Sequence, residues 1–322
     1  MTEQIRKQLQ SSQYDFLKAN PELKNIALLT LSGSHAYGTN NENSDIDLRG
    51  VVIEGKKHLL GFKPFEQFEN KATDTVIFGL RKFISLCANG NPNTLELLGT
   101  DEKSIVYLSD AGRILKENVQ LFFSKRVIAS FGNYANSQLR RLENALCHDA
   151  YNQDKKKEHL ATTLTKQIDH FNRSYTPLQK LHIYTDGGDL VFDVDLKKYP
   201  IADFVNIYSE MSQIIRTYDK LNNRNKKKSV NHLNKHIMHL VRLLLTGEDI
   251  LKGKGIITRR CAEREFLLDL LGGVYELDEV FRLIKAQQER FALVASRSAL
   301  PDKPDMDKIE QLMMNLYEDN LY

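Results

Sequence analysis

Two short segments carry the residue types for phosphate chemistry: Gly33-Ser34-His35-Ala36-Tyr37-Gly38-Thr39 and Ser44-Asp45-Ile46-Asp47-Leu48-Arg49-Gly50. Gly33 lets the backbone come close to a ligand. The free N–H groups of a helix starting there, together with the Ser34 hydroxyl, suit a phosphate. Asp45 and Asp47 are spaced i,i+2, so in an extended chain they share a face. Two carboxylates side by side repel, and a hard divalent cation removes that conflict. Mg²⁺ takes one or two carboxylates plus substrate phosphates, and two such ions align an in-line transfer at phosphorus. The chemistry expected here is phosphoryl or nucleotidyl transfer.

A two-ion platform calls for a further carboxylate, and Asp74 is the candidate. It could ligate the second ion or accept the proton of an attacking hydroxyl. Arg49, on the same face as Asp45 and Asp47, and Lys82, following the next strand, are candidate phosphate contacts. Lys235, His239 and Arg242 fall on one helix face by i,i+4,i+7 spacing. They read either as a cationic stripe toward a nucleotide or as a half-solvated face with one buried histidine. A metal site from His232, His236 and His239 is the weaker reading, because no Cys or acid accompanies them at a suitable spacing.

Other phosphate and metal motifs fail on single residues. A calcium loop opening at Asp45 would have Arg49 at a ligand position and Lys56 where a bidentate glutamate is required. Gly247 to Lys254 lacks the spacing and the hydroxyl of a P-loop. The Gly-Ser turn upstream disfavours a metal-dependent glycosyltransferase, which also uses Asp-x-Asp.

These residues need elements to hold them. Asn25 to Leu31 is an apolar run that reads as a buried strand ending at Gly33. Ser34 to Thr39 reads as one helical turn, a second strand is expected from about Asp45, and a third over Thr75 to Phe78. Residues 2–19 read as one amphipathic helix closed by Pro21. A helix over 79–90 would bury Phe83, Leu86 and Cys87, and Asn89 to Asn93 would break it before a helix from Thr94. Glu96 is expected near that helix start, where it suits the dipole. Beyond, helical periodicity dominates: Val127 to Ala145, Tyr199 to Lys220, Asn231 to Leu245 and Val280 to Ser296. A hairpin is expected between Leu181–Thr185 and Leu190–Val194. Pro301 to Asp307 reads as a linker before a last helix carrying Leu312, Met313 and Leu316.

Gly-Ser followed after a short gap by Ser-Asp-x-Asp-x-Arg-Gly resembles the DNA polymerase beta superfamily of nucleotidyltransferases, and the first segment extends it to a longer form, Gly-Ser-x-Ala-Tyr-Gly-Thr. The longer form is similar to the RNA-repair or RNA-ligase-associated polymerase-beta-like proteins of bacteria and phages. Asp74 with Leu80-Arg81-Lys82-Phe83, Asn91 to Leu98, and Lys235 to Leu243 with Gly247 continue the resemblance. It implies an α+β fold: a polymerase-beta-like domain with a mixed sheet flanked by helices, over residues 1–120. A mainly α-helical C-terminal domain would follow, over 121–322. It implies that Gly33 and Ser34 contact the β and γ phosphates, and that Asp45, Asp47 and Asp74 hold two Mg²⁺ (or Mn²⁺) ions. A nucleoside monophosphate would pass from a nucleoside triphosphate, ATP or CTP first, to an RNA 3′ end. Two alternatives stay open: adenylylation of a protein or small molecule, and nucleotide or RNA binding without turnover.

Composition sets wide bounds. The 322 residues suffice for two domains, and Lys plus Arg (45) nearly balance Asp plus Glu (42), so charge permits nucleic acid without demanding it. The runs Lys155–Lys157 and Arg224–Lys228 read as exposed loops able to attract an RNA backbone. Cys87, Cys147 and Cys261 have no metal or redox spacing and read as ordinary buried thiols of a reducing compartment. Met1 to Gln10 does not read as a signal peptide, and no apolar run approaches a membrane span. A soluble, cytoplasmic protein without membrane contact is expected.

Overall fold

A computed structural model describes residues 2–42, 44–132, 134–135, 139, 160–162, 164–165, 167–168, 171–172, 175–186, 189–223 and 230–320. The expected Val127–Ala145 helix lies partly outside these residues. Cys147, the runs Lys155–Lys157 and Arg224–Lys228, and Gly187-Gly188 of the expected hairpin turn lie wholly outside them. The chain forms two compact units, residues 1–138 with 237–322, and residues 139–236.

The first unit is built on a five-stranded mixed sheet of order β3-β4-β2-β1-β5, with β1 Ile26–Leu31, β2 Leu48–Val52, β3 Gln67–Asn70, β4 Thr75–Gly79 and β5 Ile105–Leu108. β1 is antiparallel to β2 and β5, while β2 and β4 run parallel with Leu48 beside Thr75 and Val52 beside Gly79. The two central strands are apolar because both faces are covered. On one face Leu29, Leu31, Leu48, Val52 and Ile77 join Ile5, Tyr14 and Leu23 from the N-terminal segment in one buried cluster. The helix Leu80–Ala88 follows β4 directly and buries Leu80, Phe83, Ile84 and Cys87.

Three local expectations change. The N-terminal segment is not one helix: Glu3–Leu9 ends before Ser11, which is extended and whose hydroxyl donates to the Gln8 carbonyl at 2.7 Å. A serine that offers the backbone such a bond competes with helix continuation. Strand β2 begins at Leu48, so Asp45 and Asp47 lie on its approach, although burial already alternates from Asp45 to Leu48. The strands β3 and β5 were not read from the sequence. Both are four-residue edge strands: three of the four residues of β3 are polar, and the apolar run of β5 is too short for its period to tell strand from helix.

The C-terminal region is mainly helical, with helices Val230–Leu251, Arg264–Gly272, Leu277–Arg297 and Met306–Asn320. The expected division at residues 120 and 121 does not coincide with the compact units, because residues 237–322 return to the sheet. Tyr317 donates its hydroxyl to buried Glu54 at 2.7 Å, and the Lys125 N–H donates to the Pro301 carbonyl at 2.8 Å. Arg242 pairs with Glu96 inside the same unit.

The second unit contains the expected hairpin as β6 Gln179–Asp186 and β7 Asp189–Asp195. Leu181, Ile183 and Leu190 pack with Leu160, Leu164 and, from the helix Ile201–Asn223, Met211, Ile214 and Ile215.

Candidate active site

Strand β1 stops at Leu31, and the Ser32 N–H donates to the Asp47 carbonyl at 2.8 Å. That bond closes the β1–β2 ladder and brings the two motif segments together. Gly33 then takes φ +58°, which an L side chain rarely adopts. A Cβ there would collide with the Asp47 carboxylate. The turn is thus built so that Asp47 stands directly against it. The helix Gly33–Tyr37 follows and ends at Gly38, φ +75°. The N–H groups of Gly38 and Thr39 both donate to the Ser34 carbonyl, a left-handed helix end.

Asp45 is exposed, Asp47 half-buried, and Ile46 and Leu48 between and after them are buried. Asp74 lies at the start of β4, and its carbonyl accepts the Leu48 N–H at 3.2 Å. Because β2 and β4 are parallel neighbours, Asp47 and Asp74 sit side by side at the same end of the sheet. Asp74 has φ +41°, which aspartate tolerates better than most residues. Arg49 holds it there, donating to the Asp74 carbonyl and, at 3.0 Å, to carboxylate Oδ1. The three carboxylates are hard oxygen donors of the kind Mg²⁺ takes. Among the described residues, however, no group of three or more His, Cys, Asp or Glu side chains is gathered closely enough to hold a metal ion. The carboxylate of Asp74 is turned to Arg49 instead.

The candidate cations separate sharply. Arg49 is committed to Asp74. Lys82 lies just past Gly79, the last residue of β4, at the end of the strand remote from Asp74. Five strand residues put about 17 Å between these ends. There Lys82 pairs with Glu66 at 3.1 Å and, with Glu54, His58, Phe65 and Arg81, lines a cavity of about 370 Å³. It does not stand beside the carboxylates, as a shared nucleotide contact would require. Arg242 is 3% exposed and does not face solvent. Its guanidinium lies 3.6 Å from the centre of the Tyr37 ring and pairs with Glu96, which also accepts the Tyr37 hydroxyl at 2.9 Å. Burial, with Glu96 beside it, pushes the Tyr37 hydroxyl far above its ordinary value. Glu96 is buried in the helix Pro92–Leu98, whose start is capped by the Asn91 side chain. The His239 ring meets Tyr37 edge-on, with centroids 6.2 Å apart. Lys235 is exposed and belongs to the second unit. The side chain of His232 lies outside the described ones.

Two arginines that sequence reasoning missed stand at Gly38, where the helix Gly33–Tyr37 ends. Arg264 donates its Nε–H to the Gly38 carbonyl at 2.9 Å. Arg259 lies over Gly38, with Cγ, Nε and Cζ 3.5–3.7 Å from where a Cβ would be. The signal in the sequence was the basic stretch Arg259, Arg260 and Arg264, which has no spacing that ties it to residue 38. The thiols also differ from expectation, since Cys87 is buried but Cys261 is exposed.

Residues 1–180 match the family described as RNA repair pathway DNA polymerase beta family. An uncharacterized 38.9 kDa protein from the nrdC-mobD intergenic region of Enterobacteria phage T4 is 24% identical over 113 residues, which is 31% of this chain. The chain spans about a third (34%) of that relative's length. A nucleotidyltransferase-like protein from Exiguobacterium sibiricum aligns over 96% of this chain and 75% of its own, at 10% identity and a TM-score of 0.25. Among the described residues no helix is long and apolar enough to cross a membrane.

Proposed function

This chain belongs to the RNA repair pathway DNA polymerase beta family, and from that premise we propose that it transfers a nucleoside monophosphate from a nucleoside triphosphate to an RNA 3′ end. The family and the mixed sheet support a polymerase-beta-type nucleotidyltransferase. The acceptor, the metal and the roles of single residues are our reading. The catalytic residues all come from 1–120, and residues 237–322 brace them within the same unit.

The observation that carries the reading is the placement of Asp47 against the Gly33 turn, with Asp74 beside it across β2 and β4. Gly33 and Ser34 receive the β and γ phosphates on backbone N–H groups and the Ser34 hydroxyl. Asp45 and Asp47 would hold Mg²⁺, which when bound neutralises phosphate charge and orients the reacting oxygens. Asp74 would either complete that set or take the acceptor's proton, and either role requires its carboxylate to leave Arg49. The acceptor hydroxyl oxygen forms a new ester bond to the α-phosphorus. The bond from that phosphorus to the bridging oxygen breaks, and pyrophosphate leaves with the electron pair.

The test is label transfer. The protein is incubated with Mg²⁺, each α-labelled nucleoside triphosphate and a cell extract, beside an Asp45→Ala/Asp47→Ala double variant. Label in nuclease-sensitive material that the variant does not make supports the reading and names the base. Label in protease-sensitive material instead replaces RNA by a protein acceptor. Absence of variant-sensitive label from both fractions removes the RNA assignment.

A further inference from the structure

We infer that Arg259 and Arg264 form the cationic wall of the triphosphate site, contacting the β and γ phosphates that become the leaving pyrophosphate. The inference rests on the reading of Gly33 and Ser34 as the phosphate turn.

Its first support is that the cations picked out by spacing are occupied elsewhere within the unit. Arg49 is bound to Asp74, Arg242 is buried on Glu96, and Lys82 is paired with Glu66 at the far end of β4. A pyrophosphate group leaving from Gly33 and Ser34 needs positive charge near that turn. Arg259 and Arg264 stand at Gly38, the other end of the five-residue helix that opens at that turn, and among the described residues neither has a carboxylate within ion-pairing distance.

The second support is how the segment is held. Thr258 and Arg260 are each 3% exposed. Thr258 donates its hydroxyl to the Gly99 carbonyl at 3.1 Å, and Arg260 binds Asp249 at 2.7 Å and Thr246 at 3.3 Å. With both neighbours anchored inward, Arg259 is driven outward, and it comes to rest over Gly38. Arg264, at the first position of the helix Arg264–Gly272, ties its Nε to the Gly38 carbonyl, which leaves its terminal nitrogens for a ligand.

The third support is proximity. Gly38 donates directly to the Ser34 carbonyl, and four helical residues advance only about 6 Å. The planar guanidinium of arginine suits bidentate hydrogen bonding to phosphate, and its long side chain can span that separation.

The experiment is equilibrium binding of ATP, inorganic tripolyphosphate and AMP in the presence of Mg²⁺. It compares the full chain with Arg259→Gln, Arg264→Gln, Arg259→Lys and, as a control at the remote end of the sheet, Arg81→Gln. Arg259→Gln and Arg264→Gln are each expected to weaken ATP and tripolyphosphate about ten- to a hundredfold, the range for hydrogen bonds to charged groups. AMP affinity should stay within about twofold, Arg259→Lys should restore part of the loss, and Arg81→Gln should bind as the parent does. Thermal unfolding of Arg259→Gln should match the parent, since the side chain is exposed and makes no ion pair among the described residues. Parent-like ATP binding by both glutamine variants overturns the inference while leaving the phosphate turn intact. An equal loss in Arg81→Gln also overturns it, by showing only diffuse attraction. A parent protein that binds neither ATP nor tripolyphosphate overturns the nucleotide reading itself, and this inference with it.

Discussion

The carboxylate of Asp47 occupies the space that a side chain on Gly33 would need. Gly33 also holds φ +58°, so its lack of a side chain is required twice. Gly33→Ala should therefore cost about 1–2 kcal/mol from the left-handed backbone alone. It should also push Asp47 off the turn and lower nucleotidyl transfer at least about a hundredfold. Denaturant unfolding and pyrophosphate release measure the two effects separately. A variant with parent activity would mean that the Asp47–Gly33 contact has no part in the reaction.

Asp74 gives the second prediction. If it takes the acceptor proton, Asp74→Asn should lower kcat about 10²–10⁴-fold, the usual contribution of a positioned base. Arg49→Gln removes both side-chain bonds to Asp74. It should relax the φ +41° backbone and reduce kcat by a smaller factor, about tenfold. Asp74 keeps its carboxylate in that variant. Single-turnover rates at saturating nucleotide distinguish the two. An Arg49→Gln loss as large as that of Asp74→Asn would mean that Arg49 itself contacts substrate.

Arg242 and Glu96 join positions 146 residues apart in one buried ion pair. Removing one partner leaves an uncompensated buried charge, so Arg242→Met and Glu96→Gln should each destabilise the protein by about 3–5 kcal/mol. The double variant should recover part of that loss, because no unpaired charge remains. Equilibrium unfolding of the four proteins forms the cycle. Additive losses would show that the two side chains do not act as a pair.

Glu248 predicts a response to acid. Burial opposes its ionisation, but hydrogen bonds from Lys252 and Arg290 outweigh that and hold the carboxyl below its ordinary value of 4.5. The unfolded chain then binds more protons than the folded one between the two values, so stability rises with pH across that window. The contribution is complete above about pH 4.5 and is lost as the pH falls through the lower folded value. Unfolding midpoints from pH 6 to pH 3 should show this limb, and Glu248→Gln should flatten it. An unchanged acid limb in the variant would assign the effect to other carboxylates.

The two described thiols should react unequally. Burial pushes the Cys87 thiol up to about 12, against a weaker lowering by its bond to Thr94, whereas Cys261 is exposed. Iodoacetamide at neutral pH, followed by peptide mass spectrometry, should label Cys261 in the native protein and Cys87 only after unfolding, because the thiolate is the reacting form.

Local pattern made much of the fold legible. Apolar runs marked β1 and β4, alternation marked the approach to β2 from Asp45 to Leu48, and Gly33 and Gly38 marked a turn and a helix end. Of the short edge strands, β3 escaped because three of its four residues are polar, and β5 because four apolar residues set no period. The N-terminal helix was overextended because periodicity does not register that the Ser11 hydroxyl binds the Gln8 carbonyl.

The sequence by itself determined which residues could do chemistry, and to which family they belong, because glycine turns, carboxylate spacing and strand alternation act over a few residues. It could not determine which charges are available. Arg49, Lys82, Arg242, Arg259 and Arg264 are alike as letters. Only the tertiary structure decided that the first three are bound to Asp74, Glu66 and Glu96 while the last two stand over Gly38. The reason is physical: the partner of a charge is set by burial and by the ends at which parallel strands begin and finish, and those are relations between segments far apart in the chain.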